Sequence, residues 1–239
     1  MSLENKVILI TGASRGIGAA TVKAALAAGA AKVYASARNL ASLPDFGDAR
    51  VVPLQLDVTD ETSVSNAAVA AKDVDVLINN AGTMTASNFL NTPVDAVEAD
   101  MNTNYYGTLR VIRAFFPQFK AKGNGVVVNV ASIVGLAPIP PAGSYSASKA
   151  ALHSLTQSLR TSLSQSGIKV LGVYPGPIDT DLAKDLQMQK ASPEEAAANI
   201  INGIVEEQSY IFPDPVSSQL GGLWASNPKA AEAAILSGG

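Results

Sequence analysis

Tyr145 and Lys149 stand four residues apart in Tyr145-Ser146-Ala147-Ser148-Lys149, and Ser132 ends a strand-like run just upstream. On a helix, side chains at i and i+4 share a face, so the phenol and the ammonium are brought together. A cation beside a tyrosine hydroxyl favours the phenolate, and the pair is expected to draw the phenol down from its ordinary pKa of about 10. A group so poised exchanges a proton with a carbonyl or alcohol near neutral pH, as general acid–base catalysis requires. Alone the spacing is weak, since a surface pair of this kind contributes only about 0.2–0.5 kcal/mol to a helix. Serine after a strand is likewise a common turn residue.

The elements that must position these groups read as βαβ units. Short β-branched runs at 7–10, 32–35, 50–54, 74–78, 126–130, 169–173 and 210–212 alternate with Ala-rich segments of helical length. The runs are apolar throughout rather than alternating, which predicts strands covered on both faces. Helices are predicted over 16–28, 60–71, 94–119, 144–165 and 193–207, the last opened by Pro193 and two glutamates. The expected fold is α/β, a doubly wound parallel sheet of about seven strands with helices on both faces. One domain over residues 1–239 is expected, with 213–239, around Trp224, the least legible stretch.

Bulk properties narrow the function further. A net charge of −3 leaves no electrostatic footprint for nucleic acid or an anionic membrane. No apolar run approaches the roughly 18 residues of a membrane span. Met1–Lys6 leads into a strand-like run without the layout of a signal peptide, so a cytoplasmic location is expected. With no cysteine and one histidine, a metal site of the usual kind is not expected.

The first strand opens into Thr11-Gly12-Ala13-Ser14-Arg15-Gly16-Ile17-Gly18 and then a helix. Glycines let the chain turn tightly and approach a pyrophosphate, while the helix start offers free N–H groups and a positive dipole end. The Gly-x-x-x-Gly-x-Gly turn, set between strand and helix, reads as a dinucleotide cradle. About twenty residues on, where an acid would hold the ribose of NAD, the chain reads Ala35-Ser36-Ala37-Arg38-Asn39. A carboxylate there would repel a 2′-phosphate. Arg38, with Arg15 and the Ser36 hydroxyl, could bind one through charge-assisted bonds. NADP(H) is therefore expected in preference to NAD(H).

With Asp57-Val58, Asn79-Asn80-Ala81-Gly82, Ser132, Tyr145-x-x-x-Lys149 and Pro175-Gly176 following in order, the chain resembles the short-chain dehydrogenase/reductase family from Lys6 to about Thr180. The resemblance implies a Rossmann-type fold and a catalytic set in which Tyr145 is the acid–base residue and Ser132 polarises the carbonyl. Lys149 would hold the nicotinamide ribose, and Asn104 would carry a proton-relay water. It also implies that Asp57 and Val58 flank the adenine and that Asn79, Ala81 and Gly82 line the cofactor. Pro175, Gly176, Ile178 and Thr180 would lie at the nicotinamide.

The implied activity is NADPH-dependent reduction of a ketone or aldehyde, reversible as an alcohol dehydrogenase. The substrate would be a small carbonyl or alcohol compound. A nucleotide-sugar epimerase would need a larger carboxyl-terminal domain, and a catalytically silent NADP-binding regulator would have no use for the proton donor.

Two features depart from the family. The stretch 181–192, the expected substrate lid, is short and holds Leu182, Leu186 and Met188. Tyr210-Ile211-Phe212-Pro213-Asp214-Pro215 stands where relatives carry a glycine-rich interface segment, leaving dimer and tetramer both open for a homo-oligomer.

Overall fold

The apolar runs become seven strands: β1 (Val7–Ile10), β2 (Lys32–Ala37), β3 (Val51–Gln55), β4 (Val76–Asn79), β5 (Gly125–Val130), β6 (Ile168–Val173) and β7 (Tyr210–Ile211). The computed structural model describes residues 1–85, 89–184 and 188–236. The strands form one sheet in the order β3-β2-β1-β4-β5-β6-β7, and every pairing is parallel. The order reverses between β1 and β4, so their carboxyl ends open the crevice where open α/β sheets bind ligands.

Helices cover both faces, as the unbroken apolar strands require. On one face α1 (Gly16–Ala27) packs beside α6 (Pro193–Val205), with Val22, Ala25, Ile200 and Ile204 buried against Ile8, Ile10 and Val128. On the other, α2 (Glu61–Ala70) and α4 (Thr108–Lys122) bury Val64, Val111 and Phe115 against Leu9, Leu77 and Val127. Completely burying a phenylalanine or leucine contributes about 1.5–3 kcal/mol, so these two layers fasten the helices to the central strands of the sheet. Helix α5 (Gly143–Ser164) also packs along β6.

The structure corrects two expectations. The single helix expected over 94–119 is α3 (Val94–Asp100), a wider π-helical stretch (Met101–Gly107) and α4, running to Lys122. π-helical turns gather at functional sites, and this one contains Asn104. The stretch read as illegible carries two further helices, α7 (Pro215–Ser226) and α8 (Pro228–Leu236). Tail and body meet in an aromatic cluster. Trp224 lies edge-on to His153 at 5.6 Å, and Tyr174 stacks on Tyr210 at 5.6 Å.

Candidate active site

Ser132, Tyr145 and Lys149 converge beyond the carboxyl ends of β5 and β6. Ser132 caps a short 3₁₀ turn (Ile133–Gly135), accepting from Val134 N. Its hydroxyl donates to the Pro175 carbonyl at 3.2 Å and pairs with the Tyr145 hydroxyl. Gly135 lets this turn press on α5, because a Cβ there would stand 2.7 Å from the Lys149 carbonyl. Lys149 is buried, with Nζ 5.6 Å from the centre of the Tyr145 ring and donating to Val130 O at 2.8 Å.

The electrostatics reverse the expectation drawn from the Tyr–Lys spacing. Burial raises the Tyr145 phenol to about 12, against the downward pull of its bond to Ser132 and with the charge of Asp100 also raising it. Burial likewise lowers Lys149 to about 8, partly opposed by Asp100. Desolvation penalises whichever form is charged, and sequence spacing says nothing about desolvation. The phenol therefore keeps its proton at neutral pH, which suits donation.

Asn104 is buried in the π-helical stretch. Its carboxamide donates to Thr83 O at 2.9 Å and Ser148 Oγ at 2.8 Å and accepts from Thr83 N at 2.9 Å. Gly82 brings the strand end close to both groups: a Cβ there would lie 3.1 Å from Asn104 Oδ1 and 3.5 Å from Lys149 Nζ. One turn earlier, Asp100 is fully buried and accepts from Thr85 Oγ1 at 2.7 Å, Thr85 N at 2.9 Å and Ser144 Oγ at 2.7 Å. Sequence reasoning passed over Asp100. Its signal was an acid four residues before Asn104, on the same helix face.

The glycine turn fits a dinucleotide. Gly12 and Gly16 have φ of +67° and +54°, which glycine alone adopts freely. A Cβ on Gly18 would stand 2.2 Å from Gly12 O. Helix α1 begins at Gly16 with Arg15 as its N-cap and no side-chain cap among the described residues, so its first N–H groups face the turn. Ser14 and Ile17 are half-buried beside it. The turn is pinned by Asn80, whose Nδ2 donates to Thr11 O at 3.0 Å and Gly12 O at 3.1 Å, while Thr11 Oγ1 accepts from Asn80 N and Ala81 N. Asn80, not singled out from the sequence, thus holds the turn. The Asn79 side chain is buried and donates to Asn129 Oδ1 at 2.9 Å.

Arg15 is exposed and ion-paired with Asp181 across the site, and a Cβ on Gly16 would meet Thr180 Cγ2 at 3.0 Å. The ribose end differs from expectation in one residue. Ser36 is fully buried and its hydroxyl has no partner among the described residues, so it does not stand open beside Arg38. Asp57 folds back on Thr59 at 2.9 and 2.7 Å. Burial would raise its carboxyl, but the Thr59 bonds and the Arg38 charge outweigh that and hold it below the ordinary value. Val58 is buried against Gly107, whose Cβ would stand 2.7 Å from Val58 Cγ2.

Beyond β6, Ile178 is buried and bridges to Ala191, closing the base of the segment expected as a lid, and Lys190 Nζ donates to Ala183 O at 2.9 Å. Leu182 and Met188 are exposed, and Leu186 lies outside the described residues. No group of three or more His, Cys, Asp or Glu placed to hold a metal occurs among the described residues. None of the described helices is long and apolar enough to cross a membrane.

The chain is similar in sequence and fold to known proteins. The family model for short chain dehydrogenase matches residues 6–191. An uncharacterized oxidoreductase of Staphylococcus saprophyticus is 34% identical over 225 residues, covering 88% of this chain and 95% of that one. A short chain dehydrogenase from Burkholderia cenocepacia, solved in complex with NADP, superposes with a TM-score of 0.92 at 35% identity, covering 99% of both chains. A 3-ketoacyl-(acyl-carrier-protein) reductase from Brucella melitensis, complexed with NADH, gives 0.81 at 26% identity, covering 88% of this chain and 97% of that one.

Proposed function

We propose, on the premise that the chain belongs to the short-chain dehydrogenase family and is an oxidoreductase of it, that it reduces a ketone or aldehyde to the alcohol with NADPH, reversibly. The observation that carries this reading is the Tyr145 hydroxyl, paired with Ser132 and kept protonated by burial, at the sheet end that also holds the glycine turn.

When bound, the dinucleotide supplies the hydride. Ser132 turns its one hydroxyl proton from the Pro175 carbonyl to the substrate carbonyl oxygen and fixes its orientation, and Tyr145 delivers its proton to that oxygen as negative charge develops. Lys149 offers its ammonium to the nicotinamide ribose, and Asn104 carries the water through which Tyr145 regains a proton. The α1 N-terminus and the glycine turn take the pyrophosphate, with Ala81 and Gly82 beside the ribose and Pro175, Gly176, Ile178 and Thr180 at the nicotinamide. Solved relatives carry both NADP and NADH, so the preference rests on this chain's own residues. Arg15 and Arg38 offer cations to a 2′-phosphate, and Ala37 carries no charge to repel it.

The test is consumption of NADPH and NADH by the purified protein with aldehydes, aryl ketones, keto esters and quinones, with Tyr145→Phe alongside. Turnover should favour NADPH and fall at least about 10²-fold in the variant while cofactor binding persists. Undiminished turnover by Tyr145→Phe would require another proton donor. Binding without turnover on any carbonyl would instead favour a regulator that senses NADP.

A further inference from the structure

We infer that Asp214, in the tail that departs from the family pattern, is a positioning residue for Ser132, acting through the single peptide group between Pro175 and Gly176. The catalytic part of this inference rests on the role proposed for Ser132.

Asp214 is buried and begins α7. One carboxylate oxygen accepts from Ser217 N at 2.9 Å and so caps the helix; the other accepts from Gly176 N at 2.7 Å. A capping aspartate needs only the first bond. The second reaches 38 residues back to the turn that leaves β6. The turn is shaped for it, because a Cβ on Gly176 would stand 2.7 Å from Asp214 Oδ1.

The far side of that peptide group faces the site. The Pro175 carbonyl accepts from Ser132 Oγ at 3.2 Å and from Ile133 N at 3.1 Å. The peptide is planar, so fixing its N–H also fixes the direction of its carbonyl. With its N–H held by Asp214, the peptide keeps its carbonyl under Ile133 N, and so keeps the Ser132 turn in place. Asp214, the peptide, Ser132 and Tyr145 thus form one line from the tail to the proton donor. The aromatic packing of Trp224 and Tyr210 against His153 and Tyr174 anchors the tail end of that line.

Asp214→Asn and Asp214→Ser test this, because both side chains still cap a helix but neither offers two acceptor oxygens. Amide hydrogen exchange on the full chain reads the structural half. The Ile133 and Gly176 amides should exchange at least about tenfold faster in both variants, while Ser217 N–H stays protected. Unchanged exchange at Ile133 would overturn the inference.

Carbonyl reduction reads the catalytic half. Each variant should lose about tenfold in kcat, and the same substitution made on top of Ser132→Ala should lose less than about twofold, since residues acting in series are not additive. An equal loss in both backgrounds would show general damage and overturn the inference. Should the unaltered chain turn over no carbonyl, the proposed activity falls, and the exchange rates alone decide whether Asp214 holds the Ser132 turn.

Discussion

Lys149 carries a charge in a place that resists it, and the consequence for stability is measurable. Burial lowers its ammonium from 10.5 to about 8, partly opposed by the Asp100 carboxylate. Folded Lys149 therefore gives up its proton near pH 8, while the unfolded chain holds it to about 10.5. Between those values the unfolded state binds more protons, so stability rises with pH; it is present above about 10.5 and lost as pH falls through about 8. At ~1.4 kcal/mol per pH unit the full interval corresponds to about 3 kcal/mol, of which about 2.5 kcal/mol is reached by pH 10.

Lys149→Met removes this titration while keeping most of the side-chain volume. The loss of the bond to Val130 O offsets the two stabilities by an amount that does not change with pH, so the pH dependence isolates the charge. Urea unfolding of both proteins at half-unit steps from pH 7 to 10 should show the wild type gaining about 2.5 kcal/mol on the variant. The series stops at pH 10 because Tyr145, raised from 10.0 to about 12, withdraws stability above that value. Stability curves parallel to within about 0.5 kcal/mol would refute the reasoning, since the ammonium would then not be desolvated in the fold.

Three further outcomes are expected. Tyrosinate absorbance should develop identically in wild type and Tyr145→Phe between pH 8 and 10.5, because the buried phenol ionises only near 12; a missing transition in that range would restore a lowered phenol. Replacing Ala37 with Asp and Arg38 with Ser should move the ratio of kcat/KM values toward NADH, by about 1–3 kcal/mol in transition-state terms, and an unchanged ratio would sink the assignment of Arg38. Gly18→Ala, whose methyl would collide with Gly12 O at 2.2 Å, should weaken NADPH binding by roughly 1–3 kcal/mol in a fluorescence titration, whereas Gly222→Ala, which meets nothing within 4 Å, should leave it unchanged.

The sheet and its order of helices were legible because buried parallel strands leave unbroken apolar runs, as in Val126–Val128. The glycine turn was legible because backbone conformation limits residue type: Gly12 and Gly16 do have positive φ. The direction in which Tyr145 shifts was not, because it depends on burial built by β5, the Ser132 turn and α5 together. Nor was the division of labour between Asn79 and Asn80, since β4 ends at Asn79 and the sequence does not say which of the two stays under the sheet and which turns to the glycine loop. Helices α7 and α8 did carry signals, Pro215 and Pro228 at their first positions and Asp214 as a cap, but Gly221, Gly222 and several serines obscured them.

The two rims of the sheet bear on how copies of this chain can associate. At one rim β3 contains Pro53, which has no N–H to offer a neighbouring strand; at the other β7 is two residues long. Short or proline-bearing rims are poor templates for another chain's backbone. Growth of this sheet into a continuous ribbon across molecules is thereby discouraged at both ends, and assembly is steered toward contacts made by side chains on the helical layers.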